Sequence, residues 1–241
     1  MTGMDQQTVR ALAHEAFGEW TMVRADAGWA KGAVPHEPTR RFLVEVGLPV
    51  QTTLFDIDEA FHTSPLTLPL VAAQRSTWWD EETVAQHSDG IALGREPNGG
   101  YFVLDPTSGR VDLVGDNGTA GFQSSDVAVF VYLLAYFETH RTLDGVPLDD
   151  VEPFEAAAEA AYEMLRHFSQ VDPRAFEGVE APPWDEAEGG ELDLGHAWEW
   201  MADGFADGLY GDWTWSSEAL DYFAAKGIDP SARKPLRVPA R

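Results

Sequence analysis

The sequence predicts an α+β fold, in which helices flank a curved, mainly antiparallel sheet and a helical acidic extension follows. Three observations predict it. Four short apolar runs separated by tight turns occupy residues 90–123, an amphipathic helix opens the chain, and a strongly apolar helix directly follows the runs. Turns this short join antiparallel strands, and an apolar helix needs other elements to cover it.

The first helix is predicted from Thr8 to Trp20, where apolar residues spaced three and four apart share one face. Residues 25–38 mix Gly, Pro and polar residues without periodicity, which predicts a loop. A short helix follows, with Thr39 as its N-cap and Gly47 as its stop. Irregular structure that allows short strands is predicted for Thr52–Phe61 and Leu66–Ala72.

The clearest β signal is a series of four short runs punctuated by turn residues. The predicted strands are Gly90–Gly94, Gly100–Leu104, Arg110–Val114 and Thr119–Gln123. Pro, Asn, Asp and Gly fill the turns between them, because these residues adopt turn conformations at low cost. The sequence therefore predicts an antiparallel meander.

Three helices are predicted after the meander. Ser124 or Ser125 caps the first, whose continuous Val, Phe, Tyr and Leu content indicates burial. The second spans about residues 150–169 and has an apolar face opposite a row of glutamates. The third runs from Ser217 to Lys226 and ends at Gly227. The glutamates are Glu152, Glu155, Glu159 and Glu163.

The chain of 241 residues is strongly acidic: 41 Asp and Glu against 16 Lys and Arg give a formal net charge of −25. Residues 142–221 carry 21 acidic and 2 basic residues, a net charge of −19. This field disfavours nucleic acid and anionic membranes as partners and favours a basic protein. Solubility alone is the alternative explanation, although it does not require such clustering.

The residue types exclude several kinds of chemistry. There is no Cys, so disulfides, thiolate zinc sites and Cys nucleophiles are excluded. The seven His form no HExxH motif and no pair at metal-ligand spacing, and no GxSxG motif is present. We therefore predict no catalytic residue, no cofactor and no metal site, and we do not expect an enzyme. The N-terminal segment resembles no leader and no long apolar stretch occurs, so we expect a soluble, cytoplasmic protein.

Two segments combine tryptophans with carboxylates. The first contains Trp78, Trp79, Asp80, Glu81 and Glu82, and the second, His196–Trp215, contains four of the nine tryptophans. Trp is enriched in binding hot spots, and carboxylates complement a basic partner. The alternative is that the tryptophans anchor each segment to the core, and the sequence leaves both open. The predicted partner-binding residues are this first group and the four glutamates of the second long helix.

Four segments, taken in their order along the chain, resemble a known family. They are Arg40–Pro49 (RRFLVEVGLP), Ile91–Val114, Ser124–Phe137 and Gln170–Trp184. Their order is similar to that of the fourth, mostly actinobacterial subgroup of the SUKH superfamily, over about residues 36–190. The resemblance implies a SUKH-like α+β domain with no catalytic residues.

The resemblance also implies a function. Members are immunity proteins of bacterial polymorphic toxin systems, which bind and neutralise a cognate toxin, often a nuclease or a nucleic-acid deaminase. We expect a SUKH-like domain over residues 1–190 and, packed on it, an acidic Trp-rich extension over 191–241 that ends in a mobile basic tail. The alternative function is an adaptor or regulatory scaffold that binds an endogenous protein. The sequence predicts no oligomeric state.

Overall fold

A five-stranded antiparallel sheet with helices packed on both faces forms the centre of the molecule. The structure, a computed structural model, describes residues 4–58, 60–74, 79–97, 99–115, 118–140, 161, 163–177, 198 and 217–227. Several predicted features lie outside the described residues: Trp78, Glu152, Glu155, Glu159, most of His196–Trp215 and the basic tail.

The elements follow one another in a mixed order that confirms the predicted α+β class. The helices are α1 Gln6–Phe17, α2 Ala27–Ala33, α3 Glu37–Glu45, α4 Leu68–Gln74, α5 Glu81–Gln86, α6 Val127–His140, α7 (described over residues 163–171) and α8 Ser217–Ala225. The strands are β1 Met22–Val23, β2 Leu48–Pro49, β3 Asp56–Ile57, β4 Ile91–Arg95, β5 Tyr101–Leu104, β6 Val111–Val114 and β7 Ala120–Ser124.

Strands β3 to β7 lie in chain order across the sheet, and each pairs antiparallel with the next. The predicted meander is therefore confirmed, with all four predicted strands placed to within one residue. The turn between β5 and β6 is fixed by Asp105, whose carboxylate accepts hydrogen bonds from the Thr107 backbone N–H (2.8 Å) and the Ser108 hydroxyl (2.7 Å). Strands β1 and β2 form a separate two-stranded sheet.

Strands β4 and β5 of the five-stranded sheet are buried on both faces. Phe102 of β5 joins the larger core, where its ring centroid lies 4.9 Å from that of Phe130 on α6. Its neighbours Tyr101 and Val103 point the other way, into a smaller core with α4 and Trp79. Burial on both sides explains why the strands read as continuous apolar runs. Each fully buried Phe stabilises the fold by about 1.5–3 kcal/mol.

Helix α6 is buried around most of its circumference, as predicted. Its N-terminus is capped by Asp126, whose carboxylate accepts a hydrogen bond from the Ala128 backbone N–H at 2.7 Å. The predicted capping by Ser124 or Ser125 is therefore wrong. Those two residues instead bind Asp172: its carboxylate accepts the Ser125 backbone N–H at 2.6 Å and the Ser124 hydroxyl at 3.2 Å.

Two segments predicted to be irregular contain helices. Residues 25–38 include α2, which is capped by Asp26: the carboxylate accepts the backbone N–H of Gly28 (2.8 Å) and of Trp29 (3.2 Å). Leu66–Ala72 includes the start of α4, where Leu68 and Val71 are buried in the smaller core. These helices are short and held by a cap or by packing, so neither shows the long apolar periodicity that a sequence reveals.

Two predicted helix starts also move. Helix α1 begins at Gln6 instead of Thr8, because the Asp5 carboxylate accepts hydrogen bonds from the backbone N–H groups of Gln7 and Thr8. Helix α3 begins at Glu37, with His36 at the N-cap position, so Thr39 lies inside the helix. The Thr39 hydroxyl is bonded to His36 Nδ1 at 2.8 Å. The predicted stop at Gly47 is confirmed by its φ of +85°.

The described part of the C-terminal region contacts the larger core. The indole N–H of Trp198 donates to the Gln123 carbonyl at 2.8 Å, and its ring packs edge-on against Phe168. Helix α8, predicted from Ser217 to Lys226, places Phe223 in the core, 5.5 Å from Trp20 between ring centroids. Among the described helices, none combines the length and apolar character that crossing a bilayer requires.

Candidate partner-binding surface

Trp79 attaches the first predicted binding segment to the sheet. It is 9% exposed, its indole N–H donates to the Gly115 carbonyl at 2.6 Å, and its ring meets Tyr101 edge-on at 5.5 Å. Sequence reasoning left open whether the tryptophans contact a partner or the core. For Trp79, these contacts describe an anchor that holds the following residues in place.

Asp80 begins helix α5 directly after this anchor. Its carboxylate accepts the Thr83 backbone N–H at 2.8 Å, and this hydrogen bond holds the pKa of Asp80 below its ordinary value. The Thr83 hydroxyl in turn donates to the Gly118 carbonyl at 3.3 Å, which ties α5 to the turn between β6 and β7. Asp80 is thus ionised at neutral pH and fixed in orientation, yet exposed.

Asp80, Glu81 and Glu82 form a compact group that we call the α5 carboxylates. All three are exposed, and none forms an ion pair in the part of the chain that the structure describes. Glu82 accepts one hydrogen bond, from the Gln86 side chain at 3.3 Å. The positive end of α5 stabilises such acids by a few tenths of a kcal/mol, which gives them a local structural role as well.

Glu163 is the one described member of the predicted glutamate row, and it lies elsewhere. It is exposed on α7 and paired with Arg166, the Nη1 to Oε1 distance being 2.5 Å. Helix α7 packs into the larger core through Leu165 and Phe168, whereas α5 packs on the opposite face of the sheet. The structure therefore brings together the α5 carboxylates but does not bring Glu163 to them.

Sequence reasoning missed a cluster of rings on α6 and α7. The Tyr136 ring is stacked between two imidazoles, with centroids 3.7 Å from His140 and 4.0 Å from His167. The Tyr132 hydroxyl is bonded to His167 Nε2 at 2.9 Å. Tyr132, Tyr136 and His140 are spaced i, i+4, i+8, which is a visible signal, but nothing in the sequence links them to His167.

The described residues offer no arrangement for metal chemistry. No group of three or more His, Asp or Glu side chains among them is placed to hold a metal ion. The buried carboxylate of Asp112 is held by a hydrogen bond and ion pair with Arg110, the Nη2 to Oδ2 distance being 2.6 Å. Burial raises the pKa of Asp112, and the Arg110 guanidinium offsets part of that rise. Arg110 also lies over the Phe122 ring of β7, the edge strand that pairs with β6.

Comparison with protein families gives a match. The family model described as SUKH-4 immunity protein matches residues 8–187, about three quarters of the chain. The match begins within α1, so the family includes more of the N-terminal part than the predicted range of 36–190. No curated protein and no solved structure shows significant similarity. The matched length and the observed order of helices and strands lead to one conclusion: the chain belongs to the SUKH-4 immunity protein family, which implies a toxin-neutralising function.

Proposed function

We propose that this chain binds a cognate toxin domain that acts on nucleic acid, a nuclease or a nucleic-acid deaminase, and covers its basic substrate cleft. Family membership carries the immunity function. The charge supports the finer proposal, because an enzyme that binds phosphates needs a basic cleft and this chain has a net charge of −25. The protein acts in the cytoplasm, where it needs no catalytic residue of its own.

The α5 carboxylates are the proposed contact with the basic cleft. The three carboxylates stand together, no ion pair joins them to another described residue, and Trp79 and Thr83 fix their helix to the sheet. A helix held in this way presents its carboxylates to partner arginines from fixed backbone positions, so little backbone freedom is lost on binding. The remaining predicted residues, Trp78 and the glutamate row that ends at Glu163, stay part of the proposal as further partner contacts.

A variant in which the α5 carboxylates are replaced by uncharged amides tests this surface. Asp80→Asn, Glu81→Gln and Glu82→Gln together remove three charges, and Asn at position 80 still caps α5. At low salt we expect the association rate constant for the toxin domain encoded by the neighbouring gene to fall roughly tenfold, because electrostatic steering is lost. Stopped-flow or biosensor kinetics at 50 and 500 mM NaCl measure it, and the difference from wild type should shrink at high salt.

A matched control changes the same number of charges elsewhere. Glu15→Gln, Glu37→Gln and Glu45→Gln remove three exposed carboxylates from α1 and α3, which pack on the other face of the sheet. We expect this variant to associate nearly as fast as wild type. Equal rates for both triple variants would mean that total charge, and not the α5 carboxylates, sets the association rate.

Co-expression tests the function itself. Cells that make the toxin domain should survive only when this chain is present. A wild-type chain that neither binds the neighbouring toxin domain nor protects the cells would contradict the proposed function and would favour an adaptor or regulatory scaffold.

A further inference from the structure

Three of the four residues of α6 that are not buried carry rings, the fourth being Thr139. Ten of its fourteen residues are buried. Among the others, Tyr132 and Tyr136 are half-buried and His140 is exposed. Tyr132, Tyr136 and His140 lie along about 12 Å of α6, and the half-buried His167 of α7 lies beside them. We call these four residues the ring stripe.

The ring stripe is rigid before any partner arrives. Tyr136 lies nearly parallel to His140, with an angle of 10° between the ring planes, and at 19° to His167. His140 Nδ1 is also within 2.9 Å of the Tyr136 carbonyl and of the Thr139 hydroxyl, and the Tyr132 hydroxyl holds His167. Rings whose rotamers are already fixed lose little entropy on binding, which is a property of interface hot spots.

The electrostatics of the stripe favour a cation. Burial lowers the pKa of His167, and the neighbouring His140 lowers it further, so this imidazole is neutral at neutral pH and presents an uncharged ring. The described charged neighbours on α7 are Glu163 and Arg166, which neutralise each other as a pair. Aromatic faces attract a guanidinium, and the field of a chain with a net charge of −25 favours a cation at its surface.

We propose that Tyr132, Tyr136, His140 and His167 form a contact site for an arginine side chain of the basic partner. This inference rests on the proposed function and adds a second contact surface to it, on the opposite side of the sheet from the α5 carboxylates. The guanidinium stacks on the outer face of the exposed His140 ring, because the two imidazoles already cover both faces of Tyr136.

Paired substitutions at one position test the site. Tyr136→Leu removes the ring but keeps an apolar side chain, whereas Tyr136→Phe keeps the ring and removes only the hydroxyl. We expect Tyr136→Leu to raise the dissociation constant for the toxin domain encoded by the neighbouring gene roughly tenfold. Tyr136→Phe should leave this constant within about twofold of the wild-type value. Isothermal titration calorimetry at pH 7.5 measures both, after circular dichroism has shown that each variant is folded.

An exposed residue provides a second route if Tyr136→Leu does not fold, since Tyr136 also contacts Phe168 in the core. His140→Ala removes an exposed ring at the end of α6 and should weaken binding about three- to tenfold. Gln170→Ala, exposed on α7 but outside the stripe, is the control and should bind like wild type. Wild-type affinity in both Tyr136→Leu and His140→Ala would overturn the inference while leaving the proposed function intact. Absence of wild-type binding to the toxin would overturn both.

Discussion

The turn between α3 and β2 and the surface of α5 differ in how strongly the fold constrains each residue. At Gly47 the backbone is left-handed, and a Cβ atom there would lie 2.2 Å from the Val23 carbonyl oxygen. Glu81 and Glu82 of α5, in contrast, extend into solvent and could change without moving the backbone. The difference teaches that the fold depends on residues that hold the backbone, whereas the proposed partner contacts at Glu81 and Glu82 are side chains that the fold does not fix.

The largest effect is expected at a turn. Gly47→Ala places a methyl group against the Val23 carbonyl in a conformation that L residues rarely adopt, so we expect the free energy of unfolding to fall by about 3 kcal/mol. Gly32→Ala is the control: a Cβ at position 32 meets nothing within 4 Å, and Ala favours α2 by about 0.5–1 kcal/mol. Urea unfolding measures both. Equal stability of the two variants would break the distinction between constrained and free glycines.

A smaller loss is expected from the carboxylate that joins two segments. Asp172→Ala removes the acceptor of the half-buried Ser125 N–H and one of the two acceptors of the Ser124 hydroxyl, which also donates to the Asp126 carbonyl. We expect this loss to cost about 1–2 kcal/mol of unfolding free energy. Asp172→Asn keeps one acceptor oxygen in a side chain of the same shape and should lose less than half as much. Urea titrations measure the free energy of unfolding of both variants. An Asn variant as unstable as the Ala variant would show that the negative charge of Asp172, and not its hydrogen bonds, stabilises the fold.

The sequence could predict the sheet because its signals are local. Short apolar runs between turn residues such as Pro97 and Gly109 placed every predicted strand to within one residue. The sequence did not predict helix α2 because Gly28 and Gly32 interrupt its apolar periodicity. Its one local signal is the N-cap Asp26. A helix of seven residues is stable only in its tertiary setting, and sequence patterns do not record that setting.

The candidate site also has a part that the sequence could predict and a part that it could not. The acidic group at α5 is contiguous in sequence, so its composition revealed it. Its dependence on Trp79 and Gly115 could not be foreseen, because those residues are 36 positions apart. The stack of Tyr136 on His167 likewise joins two helices that sequence alone does not pair. Long-range contacts of this kind are set by the packing of the whole core and leave no local pattern.

The smallest predicted effect is a change of stability with pH at His167, which is half-buried and so lies between the constrained turn and the exposed surface of α5. Its pKa is lowered in the fold, first by burial and then by His140, so below the ordinary value of 6.5 the unfolded chain binds more protons than the folded one. The stability that neutral His167 contributes is present above pH 6.5 and is lost as pH falls below it. Burial also lowers the pKa of His14, which acts in the same direction.

We therefore expect the free energy of unfolding to be lower at pH 5.5 than at pH 7.5. Urea titrations at pH 5.5, 6.5 and 7.5 measure the difference, and His167→Gln is the comparison, since Gln can still bond to the Tyr132 hydroxyl but does not titrate. The variant should lose less stability over this range than wild type, because one of the two imidazoles with a lowered pKa is gone. Parallel pH profiles for the two proteins would place the proton-sensitive contact elsewhere and would leave the ring stripe without a role in pH-dependent stability.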